Sequence, residues 1–173
     1  LLGKSHICES FFEDPVSVPP KVAGLYYVAD RLYNSPEIVK NLEEGKIVIL
    51  DRYTTSNMGH QGGKLSTKEE RKELYEFYDK LEFDMCGLPR PDGVIFLHMP
   101  AQNVFEIRTK RVEELDKVEQ NDEFIKASER AYLEMNDLFG FKYVPCAVEG
   151  KTRSIEDIGE DVYKLAKEII DGK

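Results

Sequence analysis

Long apolar runs, basic character and paired cysteines are all missing from this sequence. No uninterrupted apolar stretch is long enough to cross a bilayer, and the first residues lack the basic, apolar and small-residue regions of a signal peptide. The formal charge of −9 argues against a general affinity for nucleic acid or anionic membranes. The 3 cysteines are odd in number and far apart, which matches neither a disulfide framework nor a zinc spacing. We therefore expect a cytoplasmic globular protein with neither nucleic acid nor membrane as a partner.

Histidine is too sparse and too scattered to suggest a metal centre. His6, His60 and His98 have no histidine four residues away and no neighbouring cysteine. The sequence therefore predicts no histidine-based metal site.

Apolar runs that alternate with amphipathic stretches indicate an α/β protein. With 173 residues the chain has the size of one domain with a substantial core. Helical spacing begins at Pro20, and Ser35-Pro36 is expected to start a second helix that ends at Gly45. The run from Lys46 to Asp51 is nearly all apolar, which predicts a buried parallel strand.

The remaining chain continues this alternation of helices and strands. The predicted elements are a helix from a capping box at 66–69 to about Phe83, a strand at 94–97, a helix from about Ala101, a helix from 122 to 138, a strand at 142–148, and a helix capped by Ser154 that ends near Ile170. Residues 108–122 mix both signs of charge and interrupt the apolar pattern, so we expect an exposed segment there.

Two side chains on the first predicted helix have the chemistry to bind a nucleotide. Tyr27 and Arg31 are four residues apart and project from one face of that helix. An aromatic ring can stack on a base while a guanidinium holds a phosphate. An aromatic packed in the core beside a solvated arginine fits the same spacing, so spacing alone leaves both interpretations open.

Asp51 and Arg52 follow the predicted strand, at the end where open parallel sheets bind their ligands. A carboxylate there can hold a hydrated Mg²⁺, and an arginine can neutralise phosphoryl oxygens; a surface ion pair is the alternative. Residues 53–63 are small, polar and glycine-rich. Such a stretch either brings backbone N–H groups, hydroxyls and amides close to a ligand or simply connects two elements.

Arg108, Lys110 and Arg111 form a short basic cluster in a chain that is acidic elsewhere. Several carboxylates follow directly, so a solvated face with ion pairs is one interpretation. A lid near residues 108–122 is the other, because such a cluster would add positive charge over transferring phosphates and exclude water.

In order and spacing these segments resemble the thymidylate kinases, a family of P-loop nucleoside-monophosphate kinases. The similarity runs from about Val18 to the end of the chain. Its matching blocks are Leu25–Arg31, Gly45–Ser56, His60–Gly62, Gly87–Asp92 and Glu114–Glu119. Each block is common by itself, but the ordered series is specific.

The resemblance implies a fold, a reaction and an assembly. The fold would be a three-layer parallel sheet flanked by helices, in a single domain with a lid-like segment. The reaction would be the phosphorylation of dTMP to dTDP by ATP, with Mg²⁺ as the required ion. The family also suggests a homodimer.

By this resemblance, four candidate residues take roles around the phosphates and the base. Tyr27 looks like the aromatic that stacks on thymine, and Arg31 like the arginine that holds the monophosphate. Asp51 resembles the strand-end carboxylate near Mg²⁺. Arg52 looks like the arginine that bridges the acceptor and donor phosphates.

The same comparison by position extends to five further residues. Ser56, Asn57 and Gln61 fall where the family contacts the base and the sugar. Arg108 and Arg111 lie where bacterial members have lid arginines.

The chain departs from the family pattern at several positions. His98 stands where the family often has an acid, and Lys117 replaces a common arginine. No complete Gly-x-x-x-x-Gly-Lys-[Ser/Thr] loop is present, and Gly3-Lys4-Ser5 lies too close to Arg31 to serve as that loop.

In the family, the P-loop strand lies between the two strands expected near 46–51 and 93–97. We therefore expect the first strands of the fold in an upstream segment of roughly 40–50 residues, about one βαβ unit. The alternative from another functional class is a non-catalytic homologue that keeps a nucleotide-acceptor pocket as a binding or interaction module.

Overall fold

The computed structural model describes Asp14, residues 16–109 and residues 120–172. These residues group into two compact units. The first unit comprises the described residues up to Arg90 together with 120–131, and the second comprises 91–109 and 132–172. The single domain expected from chain length stays a prediction.

The described elements confirm the α/β class. In chain order they are α1 (Pro20–Glu43), α2 (Thr54–Gly62), α3 (Lys68–Asp79), a π-helical turn (Lys80–Met85), β1 (Ile95–His98), α4 (Ala101–Arg108), α5 (Asp122–Phe139), β2 (Lys142–Pro145), β3 (Ala147–Val148), β4 (Lys151–Thr152) and α6 (Ile155–Asp171). No described helix is both long enough and apolar enough to span a bilayer.

Helix α1 is continuous, so the predicted restart at Ser35-Pro36 is wrong. Pro36 lies inside the helix and has no N–H to donate to the carbonyl of Leu32. The hydroxyl of Ser35 donates to that carbonyl instead, at 2.9 Å, which satisfies the group that proline leaves without its usual partner. The predicted end at Gly45 is confirmed within two residues, since α1 ends at Glu43 and Gly45 has a φ of 75°.

The predicted strand at Lys46–Asp51 is also wrong. Residues 46–50 form neither helix nor strand, and Ile47 and Ile49 are 64% and 82% exposed. A strand needs a neighbour for its backbone hydrogen bonds, and no described strand pairs with this segment. Asp51 therefore follows an irregular exposed segment rather than a buried strand.

The stretch 53–63, for which the sequence left a connection as one alternative, contains α2, with Tyr53 and Gly63 as its cap residues. The helix after it begins one residue later than predicted, because its capping box consists of Thr67 and Glu70. The Thr67 hydroxyl accepts from the Glu70 N–H at 3.2 Å, and the Glu70 carboxylate accepts from the Thr67 N–H at 3.0 Å.

Two tyrosines of α3 define how closely the first three helices pack. Tyr78 donates to the carbonyl of Pro20, and a Cβ on Gly24 would overlap its hydroxyl. A Cβ on Gly62 would lie 2.7 Å from the hydroxyl of Tyr75. Glycine is therefore required at both positions for α1 and α2 to approach α3, and both tyrosines are fully buried.

The second unit is built on a small parallel pair. Strands β1 and β2 pair in parallel from Ile95 with Lys142 to His98 with Pro145, and α6 packs against them. Ile169 of α6 fits against Gly93, where a Cβ would lie 2.5 Å from its Cδ1. The described residues form this pair and one hairpin, so they do not show a three-layer sheet.

The strand predicted at 142–148 is divided into two. The chain leaves β2 after Pro145, and β3 turns back to pair with β4 in an antiparallel hairpin. The two turn residues, Glu149 and Gly150, have positive φ values of 50° and 77°, as a tight hairpin turn of this length requires. The interruption lies at Cys146, where the chain changes its pairing partner from β1 to β4.

Candidate functional site

The predicted acceptor residues lie in the first unit, on α1, on α2 and in the segment between them. Gly24, Tyr27 and Arg31 form one stripe of α1, because residues three and four apart share a helix face. The side-chain amide of Asn57 on α2 donates to the carbonyl of Gly24 at 3.3 Å. The face of α2 that holds Asn57 therefore meets α1 one turn before Tyr27, which is 42% exposed.

Arg31 forms a paired hydrogen bond with a buried carboxylate. Its Nε donates to Oε2 of Glu82 at 2.6 Å and its Nη2 to Oε1 at 2.8 Å. The Glu82 side chain is 0% exposed and that of Arg31 is 14% exposed. Two of the five guanidinium N–H groups are used in this pair, and no hydrogen bond to another described residue occupies the other three.

Asp51 and Arg52 are exposed. Within the part of the chain that the structure describes, neither has a hydrogen-bond or ion-pair partner. Arg52 has a φ of 69°, a left-handed conformation that residues other than glycine adopt rarely. Such backbone strain concentrates at ligand-binding and active sites.

Tyr53 joins this segment to the block at 87–92. Its hydroxyl donates to the carbonyl of Pro89 at 3.2 Å, and its ring lies 6.5 Å from that of Phe83. Burial raises the pKa of Tyr53, and the charge of Glu82 raises it further against the opposing effect of Arg31. Tyr53 is therefore a neutral hydrogen-bond donor at physiological pH.

Three buried oxygens on one face of α2 have no hydrogen-bond partner among the described residues. They are Oγ1 of Thr54, Oδ1 of Asn57 and Oε1 of Gln61, and all three residues are at least 96% buried. Their spacing of three and four places them on one helix face. An unsatisfied buried acceptor costs about 1–3 kcal/mol, so these three oxygens are candidates to accept hydrogen bonds from a ligand.

Arg90 fixes the π-helical turn from outside. It donates to both carboxylate oxygens of Asp79, at 2.8 and 2.9 Å, and to Asp84 at 3.0 Å. Its guanidinium carbon lies 4.3 Å from the centre of the Phe83 ring. The hydrogen bonds to Asp79 and Asp84 raise the pKa of Arg90 above its usual range. These contacts hold the turn that presents Glu82 to Arg31.

The remaining predicted residues lie elsewhere or outside the described part. Ser56 is half-buried on α2. Arg108 is the last residue of α4 in the second unit, with its guanidinium carbon 5.0 Å from the centre of the Phe105 ring. Arg111 and most of the predicted lid at 108–122 fall within residues 110–119, outside the described residues.

Sequence reasoning missed two residues of this region, Glu82 and Thr54. Glu82 lies four residues after Tyr78 and seven after Tyr75, so it falls on the apolar face of its helix. A carboxylate on a buried face needs a cation partner, and that was the available signal. Thr54 lies three residues before Asn57, on the same face of α2.

One carboxylate in this region suits a hydrated Mg²⁺. Among the described residues, no group of three histidine, cysteine, aspartate or glutamate side chains is arranged to hold a metal ion. Mg²⁺ in phosphoryl-transfer sites needs less from the protein, because one or two carboxylates, the phosphates and water complete its coordination. Asp51, exposed beside Arg52, has the chemistry for such a role.

Comparison with known proteins shows similarity over most of the chain. The family model described as thymidylate kinase matches residues 7–158. A thymidylate kinase of Lactobacillus helveticus is 31% identical over 169 residues, which cover 92% of this chain and 75% of the relative. A thymidylate kinase of Symbiobacterium thermophilum is 30% identical over 86% of this chain and 64% of its own length. A thymidylate kinase of Limosilactobacillus fermentum is 29% identical over 81% of this chain and 64% of its own length.

Proposed function

The chain belongs to the thymidylate kinase family, and from that premise we propose that the protein transfers the terminal phosphoryl group of ATP to dTMP, giving dTDP. Family membership supports a nucleotide kinase with the P-loop kinase fold, in agreement with the α/β class of the described elements. For the complete protein we propose the three-layer parallel sheet of this fold, a homodimer in the cytoplasm, and no nucleic-acid partner.

The row of buried acceptors on α2 is the observation that supports this proposal most. A pyrimidine base offers a ring N–H, and a deoxyribose offers a hydroxyl, to oxygens such as those of Asn57 and Gln61. Tyr27 lies on the face of α1 that contacts α2 through Gly24. Its ring is partly exposed and suits stacking on the base. These groups together match a nucleoside monophosphate better than a free phosphate or a sugar.

The cations of this region would serve the phosphates. Phosphoryl transfer depends on positioning and on stabilising charge that spreads over the equatorial oxygens. The free edge of the Arg31 guanidinium would hold the monophosphate, and Arg52 would bridge acceptor and donor phosphates. In the lid, Arg108 and Arg111 would add positive charge.

Asp51 would hold Mg²⁺ through its waters. When bound, this ion neutralises charge on the phosphates of ATP. Asp51 would thus orient the hydrated ion, while Arg52 contacts the phosphoryl group directly.

A coupled assay of ADP release from the full-length protein tests this function. We expect turnover with dTMP to exceed that with dUMP, dCMP and dGMP. Absence of turnover with all four would overturn the proposal. Binding of dTMP without turnover would instead support the non-catalytic homologue with a retained acceptor pocket.

A further inference from the structure

We propose that Glu82 is a positioning residue, which fixes the guanidinium of Arg31 so that its free edge faces the acceptor nucleotide. The inference rests on the proposed function, because Arg31 contacts the nucleotide there.

The geometry of the pair determines where Arg31 can point. Both carboxylate oxygens of Glu82 accept from one edge of the guanidinium, at 2.6 and 2.8 Å. The guanidinium is planar and rigid, so fixing one edge also fixes the direction of the N–H groups on the opposite edge. A single hydrogen bond would leave the plane free to rotate, and two parallel ones prevent that rotation.

The energetics of a buried ion pair also favour a role beyond stability. Taking two charges out of water offsets much of their attraction, so a buried pair is often no more stabilising than apolar residues of the same volume. Glu82 is fully buried, and Arg31 is nearly so. An orienting role explains why this position carries a carboxylate among the buried tyrosines of α3.

The turn that presents Glu82 is held in place by contacts on both of its sides. Phe83 contacts the ring of Tyr53, directly after Arg52 in the sequence. Asp84, together with Asp79, binds Arg90. The turn is π-helical, a geometry that occurs often at functional sites. Glu82 thus connects the orientation of Arg31 to two neighbouring segments of the proposed site.

Loss of the carboxylate has two opposing effects on dTMP binding. Without Glu82 the region gains one net positive charge, which attracts a phosphate, but the guanidinium loses its fixed direction. The Arg31 side chain is 14% exposed, so salt in the solvent screens part of the added charge. Misplacement by about 1 Å can cost as much as a hundredfold in rate. The orienting effect should therefore dominate.

The test compares variants of the full-length protein by dTMP affinity, measured calorimetrically, and by the separate KM values for dTMP and ATP. Glu82→Gln keeps the shape and removes the charge, and we expect its Kd and KM for dTMP to rise between about tenfold and a hundredfold, with the KM for ATP unchanged. Glu76→Gln, on the exposed side of α3, removes only a solvent-exposed pair with Lys72 and should match the wild type.

A double-variant cycle separates positioning from folding. If Glu82 acts through Arg31, the pair Glu82→Gln with Arg31→Met should bind dTMP as weakly as Arg31→Met alone. The double variant also leaves no buried charge without a partner. If Glu82→Gln does not fold, Glu82→Asp provides the comparison, because its carboxylate is withdrawn by one methylene and should also raise the Kd.

Three results would overturn the proposal. The first is that both Glu82 variants bind dTMP with wild-type affinity and only their melting temperature is lowered. The second is that the effect of Glu82→Gln on dTMP affinity adds fully to that of Arg31→Met. The third is that Glu82→Gln binds dTMP more tightly than the wild type at low salt. Wild-type protein that binds dTMP without turnover would defeat the proposed reaction alone, because the affinities still test Glu82. Wild-type protein that binds no dTMP would overturn both.

Discussion

The left-handed backbone at Arg52 is the sharpest local signal of function in the first unit. An L-residue other than glycine in this conformation costs about 1–2 kcal/mol. Arg52 has a φ of 69° and an exposed side chain. Glycine would adopt this conformation without that cost, so retaining arginine here favours a role for its guanidinium.

Replacing Arg52 by alanine and by glycine separates charge from strain. Both variants lose the guanidinium, so we expect both to lose roughly 10²–10³-fold in kcat/KM. Arg52→Gly relieves the strain that Arg52→Ala keeps, so its free energy of unfolding should be higher by about 1 kcal/mol. Steady-state kinetics and urea unfolding measure the two effects. Full activity in either variant would refute the proposed role of Arg52.

Replacing Gln61 should change the stability of the protein and its binding of dTMP in opposite directions. Its buried Oε1 has no partner among the described residues, so Gln61→Met, similar in volume, should raise the free energy of unfolding by about 1 kcal/mol without ligand. The KM for dTMP should rise. Thermal unfolding with and without dTMP measures both. Lower stability with an unchanged KM would show that Gln61 serves the core instead.

The sequence allowed us to predict arrangements between residues close together in the chain, but not pairs of residues that are far apart in it. Tyr27 and Arg31 share a helix face as their spacing indicated. The pairing of Arg31 with Glu82 spans 51 positions, and no local pattern specifies which buried carboxylate an arginine meets. The proposed roles of these residues stay predictions.

At the scale of elements, helix α6 has the clearest start signal in the second unit. Ser154 accepts a hydrogen bond from the N–H of Asp157 at 3.1 Å, as predicted from the sequence. We expect Ser154→Ala to lower the free energy of unfolding by about 1 kcal/mol, because one N–H of the first turn loses its acceptor. Urea denaturation measures this change. Ser154→Asp restores an acceptor, so equal destabilisation by both variants would contradict the capping role.

Helices were predicted better than strands, and the reason is physical. Caps, proline positions and amphipathic spacing are contained in the segment itself, which is why the start of α4 and both ends of α5 and α6 were predicted close to those observed. A strand depends on a partner elsewhere in the chain. The apolar run at 46–50 has the composition of a strand, and composition alone does not supply that partner.

At the scale of the whole molecule, Lys64 should couple folding to alkaline pH. Its Nζ donates to the carbonyl of Val18 at 2.9 Å, and burial lowers its pKa from 10.5 to about 8, against an opposing effect of Asp14. Between pH 8 and 10.5 the unfolded chain therefore holds more protons at this site than the folded one. From this group, the free energy of unfolding rises with pH across that interval.

Lys64→Met isolates this contribution from other titrating groups. The difference in free energy of unfolding, wild type minus variant, should increase from pH 8 to pH 10.5 and stay level below pH 8. Urea titrations of both proteins at matched pH values measure it. Parallel profiles across the interval would contradict a lowered pKa for Lys64.

The family could be predicted from the sequence because its motifs recur in a fixed order, and the comparisons confirm it. The reaction and the substrate are more specific than family membership. They depend on how acceptor residues, cations and lid arginines meet in space, and residues 110–119 lie outside the described structure. Activity therefore has to be measured.

The exposed segment at 46–50 has a consequence for solubility. Residues 47–50 are Ile, Val, Ile and Leu, an uncharged stretch with high β-propensity, and such a stretch favours aggregation between chains. Charged residues that flank such a stretch oppose self-association, and here they are Lys46 at its start and Asp51 and Arg52 just after it. We therefore expect that replacing Arg52, the residue proposed to contact phosphates, also favours association between chains, so its variants should be assayed at low protein concentration with light scattering as a control.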